Sequence, residues 1–231
     1  MDRQALVCRN ILEKPDITQR EMAKNMDISL GTVNGLVKEC LAEGYIAEKE
    51  NGKEKHLILL EKGKELLKPY KVDGALIIAA GFGSRFVPLT FETPKGLLEV
   101  FGERMIERQI KQLHEVGIYD ITIAVGYLKE KFEYLIDKFD VKLLYNPEYS
   151  CKNTLATVYR ARKFLKGRNV YILSSDNWMR ENMYHSYECG AWYSAAHEEG
   201  ETKEWCLTFN KKGRISDVNV GGKDAWFMYG P

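Results

Sequence analysis

The chain has 231 residues, enough for one large domain or a small domain followed by a medium one. Apolar residues make up 45% and charged residues 29%, an ordinary globular balance. The formal net charge of +1 gives no bulk electrostatic pull toward nucleic acid or a membrane surface. No apolar run reaches bilayer-spanning length, and Met1-Asp2-Arg3-Gln4 lacks the basic-then-apolar start of a signal peptide.

Five scattered cysteines (Cys8, Cys40, Cys151, Cys189, Cys206) show neither a C-x-x-C pair nor metal spacing, so free thiols in a reducing cytoplasm are expected, with no membrane partner. The four histidines (His56, His114, His185, His197) show no triad or metal spacing and receive no role.

Residues 1 to 70 read as short helices followed by a hairpin. Apolar spacing predicts a helix over Arg3–Leu12. Asp16 or Thr18 is placed to cap a second helix that reaches Met26. A third begins near Ser29, runs through Val33, Leu36, Val37 and Leu41, and stops at Gly44. Tyr45-Ile46-Ala47 and His56–Leu60 flank an Asn51-Gly52 turn, a strong hairpin signal, and Glu61–Leu67 reads as a closing helix. This order resembles a winged helix-turn-helix domain, with Ser29–Val37 where that family's recognition helix starts.

Charge tempers what the resemblance implies. The segment carries twelve basic and twelve acidic residues, and the third helix offers Ser29, Thr32, Asn34 and Lys38 but no Arg. DNA binding through residues 1–70 and a dimerisation or interaction role both stay open, a homodimer included.

From Gly74 onward apolar strands alternate with amphipathic segments, the pattern of a parallel α/β sheet, with the boundary near Lys68-Pro69-Tyr70-Lys71. Ala75–Ala79 has no polar face and suits a central strand. Ala80-Gly81-Phe82-Gly83-Ser84-Arg85 follows it directly. Its glycines let the backbone approach a ligand, and successive N–H groups can point at phosphate oxygens. A Rossmann fingerprint would need a third glycine where Phe86 stands, and a P-loop would need Gly-Lys-Ser/Thr.

The continuation is more specific: Arg85 to Thr90, then Thr93-Pro94-Lys95-Gly96-Leu97-Leu98-Glu99-Val100, Gly102 and Met105-Ile106-Glu107. It resembles the nucleotidyltransferase signature G-x-G-x-R, P-x-T, P-K-x-L-L-x-V-x-G, M-I-E. The resemblance implies a Rossmann-like (GT-A-like) α/β domain with a mixed sheet over residues 72–231, preceded by the small winged helix. Arg85 presents a fixed fork of donors to phosphate oxygens, and Lys95 places a compact charge near the α-phosphate, where negative charge builds in the transition state.

Further strands are expected at Ile121–Val125, ending in Gly126-Tyr127, at Val141–Tyr145, ending in Asn146-Pro147, and at Asn169–Leu173. Helices are expected over Lys129–Lys138 and Asn153–Phe164. Tyr127, Asn146, Asn153 and Thr154 join Ala80–Arg85 and Lys95 as candidate nucleotide contacts, with helix capping the competing role for Asn153 and Thr154. Asp176, just past the last of these strands, is placed to hold Mg²⁺ against a triphosphate or to serve as a turn residue. The family's strand-end D-N points to the metal.

Gly126-Tyr127-Leu128-Lys129-Glu130, Lys152–Tyr159 and Thr202-Lys203-Glu204-Trp205 look like bacterial choline-phosphate cytidylyltransferases. That resemblance implies transfer of CMP from CTP to phosphocholine, giving CDP-choline and pyrophosphate. All four tryptophans (Trp178, Trp192, Trp205, Trp226) lie late in the chain, and Trp205 is the candidate wall of a trimethylammonium cage, with core packing as its alternative.

One departure stands out. The family continues beyond Tyr229-Gly230-Pro231 and there supplies a second metal carboxylate. Asp217 and Asp224 are the only late aspartates here and lack the matching context, so a C-terminal truncation is expected. A sugar-1-phosphate nucleotidyltransferase and a transcriptional regulator with a nucleotide-sensing α/β domain are the rival readings.

Overall fold

The computed structural model describes residues 2–51, 54–211 and 213–230, and these form two compact units.

The first unit opens with three helices, each capped as its sequence dictates. The Asp2 carboxylate accepts from the Ala5 N–H at the start of α1 (Arg3–Glu13). Thr18 and Glu21 form a reciprocal capping box on α2 (Gln19–Asn25), and Ser29 caps α3 (Leu30–Ala42). Gly44 turns the chain at φ +72°, a left-handed conformation that glycine takes without strain. The wing is β1 (Ile46–Asn51) paired antiparallel with β2 (Glu54–Leu59), and Gly52 of the expected turn lies outside the described residues. Helix α4 (Glu61–Leu67) closes it. Val33, Leu36, Val37 and Cys40 recur at helical spacing on α3 and pack with Val7, Cys8 and Ile11 of α1, all buried.

This unit spans Met1–Val72 and also takes in His185–Ala191, a segment distant in sequence. Cys189 enters its core, the Glu188 N–H donates to the Tyr70 carbonyl at 2.8 Å, and Arg9 pairs with the Glu188 carboxylate at 3.2 Å.

The second unit is built on a four-stranded sheet. Its central strand, β3 (Gly74–Ala79), is nearly all buried. A short ribbon of β4 (Glu99–Val100) and β5 (Glu103–Arg104) leads into the amphipathic α5 (Met105–Glu115). Then come β6 (Ile121–Val125), α6 (Tyr134–Phe139), β7 (Lys142–Tyr145), α7 (Thr154–Arg160), α8 (Arg162–Leu165) and β8 (Val170–Ser174). The order is β7-β6-β3-β8, parallel throughout, so every strand ends on the same edge.

Two expected helices are shorter than the apolar spacing suggests. Lys129–Phe132 is a 3₁₀ turn before α6, and the Asn153–Phe164 helix breaks at Ala161 into α7 and α8. A long antiparallel hairpin, β9 (Ala195–Phe209) and β10 (Ile215–Met228), carries several register shifts and completes the unit. No helix among the described residues is long and apolar enough to cross a membrane.

Candidate active site

Past Ala79 the chain turns sharply. Gly83 stands at φ +71°, and a Cβ there would come within 3.2 Å of the Thr90 Cγ2 and 3.3 Å of the Lys95 Cβ. Conformation and space both demand glycine. Gly81 is different: an added Cβ would meet nothing within 4 Å, so its backbone is open to a ligand.

The turn is braced from behind. Buried Thr90 donates to the Gly83 carbonyl at 3.1 Å, and the Tyr127 N–H donates to the Ala80 carbonyl at 3.1 Å. The Phe82 ring meets Tyr127 edge-on at 4.8 Å, and the Tyr127 hydroxyl donates to the Phe91 carbonyl at 3.0 Å. Among the described residues no acceptor engages the N–H groups of Gly81, Phe82, Gly83 or Ser84. Four successive free donors on a rigid turn suit a polyanion.

Lys95 follows Pro94 in a 3₁₀ turn. Beside it, a Cβ on Gly96 would come within 2.7 Å of the Ser175 side chain, so the Lys95 turn lies directly on the loop after β8. That contact brings the Lys95 ammonium to the Asp176 carboxylate in an ion pair, while the ring of Phe86 lies 4.6 Å from the same ammonium. The other Asp176 oxygen accepts from the Ser174 hydroxyl at 2.6 Å. Burial works against ionisation of Asp176, but the Lys95 ammonium and the Ser174 hydroxyl outweigh it and hold the carboxyl below its ordinary value.

Helix α5 holds the loop in place. The Gln109 amide donates to the carbonyls of Ser174 at 2.8 Å and Asn177 at 2.6 Å. Arg108 donates to the Met179 carbonyl at 2.6 Å and stacks on Trp178 at 4.9 Å. These polar side chains on an otherwise apolar helix face were the available signal for a positioning role, and sequence reasoning gave them none.

A cleft of 920 Å³ opens here. Arg85, Phe86 and Lys95 line one side, Ser174, Asp176 and Asn177 come from the end of β8, and Glu198, Thr202, Glu204, Phe227 and Tyr229 come from the hairpin and its end. Arg85 is paired across it with Glu204 at 3.0 Å. Burial, and then the charge of Asp176, raises the Tyr229 phenol above its ordinary value.

The structure therefore brings Arg85, Lys95 and Asp176 together beside the glycine turn of Ala80–Ser84. Tyr127 serves as a brace of that turn. Asn146 is buried, donating to the Thr157 hydroxyl at 2.9 Å and accepting from the Glu148 N–H at 3.0 Å. Asn153 and Thr154 are exposed, and Asn153 makes no capping hydrogen bond at α7. Trp205 is 57% exposed opposite Val220. Strand alternation puts Thr202 and Glu204 on the cleft face and Trp205 on the other.

The other tryptophans have packing partners: Trp178 against Phe101, Trp192 against Tyr171, Trp226 against His197. The late aspartates also serve the hairpin. Asp217 accepts from the Val218 N–H, and Asp224 from the Gly200 N–H. The acids and rings of the hairpin wall went unnoticed in the sequence because that wall forms only when the hairpin folds over the sheet edge.

A parallel sheet whose central strand runs into a glycine turn with open backbone N–H groups, with a lysine–aspartate pair at the same edge, is the architecture of a nucleotidyltransferase-type α/β domain. The profile of the family described as Nucleotidyl transferase matches residues 74–198, and the chain belongs to that family. A second profile, Winged helix-turn-helix DNA-binding, matches residues 9–47. Choline-phosphate cytidylyltransferase of Streptococcus pneumoniae is 37% identical over 156 residues, covering 68% of this chain and 67% of that protein. The 2-aminoethylphosphonate cytidylyltransferase of Lancefieldella rimae is 35% identical over 68% of this chain and 64% of its own length. The solved CTP:phosphocholine cytidylyltransferase from Streptococcus pneumoniae superposes with a TM-score of 0.64 at 38% identity, covering 69% of each chain. This chain thus spans about two thirds of the length of these relatives.

Proposed function

We propose that the α/β domain transfers CMP from CTP to phosphocholine, forming CDP-choline and pyrophosphate, with Mg²⁺ as the cation. The observation that carries this reading is that Arg85, Lys95 and Asp176 share one cleft beside the Gly81–Ser84 turn, whose N–H groups meet no acceptor among the described residues. Its likeness to the pneumococcal choline-phosphate enzyme supports the acceptor.

The donor set fits a cation held jointly with substrate. Among the described residues no group of three acidic, histidine or cysteine side chains could cage a metal, but one strand-end carboxylate plus phosphate oxygens matches how Mg²⁺ usually binds. Asp176 would hold it, and Mg²⁺ when bound neutralises triphosphate charge. The acceptor's phosphate oxygen is already ionised near neutral pH. It forms a bond to the α-phosphorus as the α–β bridging bond breaks, and pyrophosphate departs with that electron pair. No proton has to move, so the protein's work is alignment and charge compensation: the turn N–H groups hold phosphate oxygens and Lys95 faces the α-phosphate.

The test is pyrophosphate release by the full chain across CTP, UTP and GTP with phosphocholine, phosphoethanolamine, 2-aminoethylphosphonate and glucose 1-phosphate. Turnover with CTP and phosphocholine is expected. Preference for a sugar phosphate would overturn the acceptor assignment.

The winged-helix unit we assign to weak duplex binding. Its basic and acidic residues balance, so few phosphates can be neutralised and salt dependence should be shallow. Tight binding of the full chain to random duplex at physiological salt would refute that. A cytoplasmic setting, with its CTP and reducing poise, suits five cysteines that are all free thiols.

A further inference from the structure

Among the described residues, the cleft holds more acid than its two cations can match. Asp176, Glu198 and Glu204 line it together with Glu99, against Arg85 and Lys95. Lys95 is committed to Asp176, and Arg85 to Glu204 at 3.0 Å. These two pairs differ in setting. The Lys95 and Asp176 side chains are 23% and 21% exposed, whereas Arg85 is 78% and Glu204 44% exposed. An ion pair that open to water is weak and easily exchanged.

We propose that Glu204 is the residue that selects a cationic acceptor, and that its pair with Arg85 is a placeholder released by the nucleotide. The inference rests on reading the domain as a cytidylyltransferase for an amino-alcohol phosphate. A triphosphate offers the Arg85 guanidinium several anionic oxygens in place of one carboxylate, with the bidentate geometry that arginine favours. When Arg85 turns to it, Glu204 loses its counter-ion on the cleft wall that also carries Glu198.

That wall also carries Phe227 and Tyr229, whose rings pack edge-to-face at 6.4 Å. Acids beside aromatic faces, on the side of the cleft facing Arg85 and Lys95, suit an acceptor with phosphate at one end and a permanent cation at the other. A sugar phosphate, whose sugar carries no cation, would leave the two carboxylates uncompensated in a partly enclosed space. Discrimination therefore comes as much from the unmatched charge as from the favourable contact. Trp205 lies on the opposite face of β9, so the acid next to it in sequence, and not the indole, reaches the cleft.

Calorimetry on the full chain tests this with α,β-methylene CTP and Mg²⁺, then with phosphocholine or glucose 1-phosphate added to the nucleotide-saturated protein. Glu204→Gln should bind the nucleotide analogue about two- to five-fold more tightly, because no exposed pair has to break. It should bind phosphocholine ~10-fold more weakly, having lost a charged contact in a partly enclosed site. In an Arg85→Gln background the gain in nucleotide affinity should vanish while the loss for phosphocholine persists. A purely structural role for Glu204 would move both affinities the same way, and that result overturns the proposal. So does a variant that weakens glucose 1-phosphate as much as phosphocholine, or one that changes neither ligand. If the unmodified chain binds neither the analogue nor phosphocholine, the cytidylyltransferase reading falls with it. If it binds both and Glu204→Gln is silent, only the role of Glu204 falls.

Discussion

Replacing Lys95 with alanine separates catalysis from stability. The ammonium faces a carboxylate whose side chain is only 21% exposed, so the variant leaves Asp176 desolvated with the Ser174 hydroxyl as its nearest support. Removing one partner of a fully buried pair costs about 3–5 kcal/mol, and exposed pairs are worth about 0–1. This part-solvated pair falls between, at ~1–2 kcal/mol, and the melting temperature should drop by ~2–8 °C. Turnover should fall ~10²–10³-fold if the ammonium also stabilises charge building on the α-phosphate. The stability loss alone leaves the enzyme folded at 25 °C and cannot account for that.

The pH dependence carries a sign. Asp176 ionises below its ordinary value of 3.8 in the folded protein, so its contribution is present above 3.8 and lost as pH falls through the lower folded value. Without Lys95 the strongest influence favouring ionisation of Asp176 is gone, while the burial that opposes it remains. The gap between wild-type and variant melting curves should be widest at neutral pH and close below 3.8. Pyrophosphate release and melting curves from pH 7 to pH 3 read both effects. Near-normal turnover would refute the α-phosphate role, and a gap indifferent to pH would refute the ion-pair account.

Three further outcomes follow from the same geometry. Gly81→Ala has room in the protein and should leave stability unchanged while weakening CTP binding in a titration, whereas Gly83→Ala, at φ +71° and against Thr90, should also cost ~1–2 kcal/mol. Unchanged CTP affinity in Gly81→Ala would remove the phosphate-cradle argument. Asp176→Asn should abolish most of the magnesium dependence of CTP binding measured by calorimetry, and an intact dependence would reduce the residue to a turn. Gln109→Leu removes both hydrogen bonds to the Ser174–Asn177 loop and should lower stability by ~1–3 kcal/mol together with kcat. A fall in stability with kcat intact would show that the loop keeps its catalytic shape without α5.

Much of this protein is determined locally, and local features are legible in sequence. The caps at Thr18 and Ser29, the stop at Gly44, and the closing helix Glu61–Leu67 depend on near neighbours. The buried strands β3 and β6 declare themselves by apolar runs, interrupted in β6 only by Thr122. Gly81, Gly83, Arg85 and Lys95 belong to one contiguous stretch, so they could be singled out before any fold was known. Asp176 was reachable too, because a parallel sheet delivers every strand end to one edge.

Tertiary structure decided the rest. The first unit takes its last core residue, Cys189, from a segment more than a hundred positions from α3, and no spacing rule reaches that far. Gln109 became the anchor of the Asp176 loop only once α5 lay along the sheet. Trp205 and Glu204 are adjacent in sequence, and there only the indole offers itself as a cation contact. The two-residue alternation of β9, fixed by its pairing with β10, turns one to the cleft and the other away. Which residue faces the ligand is a matter of strand register, and register is set by contacts between distant parts of the chain.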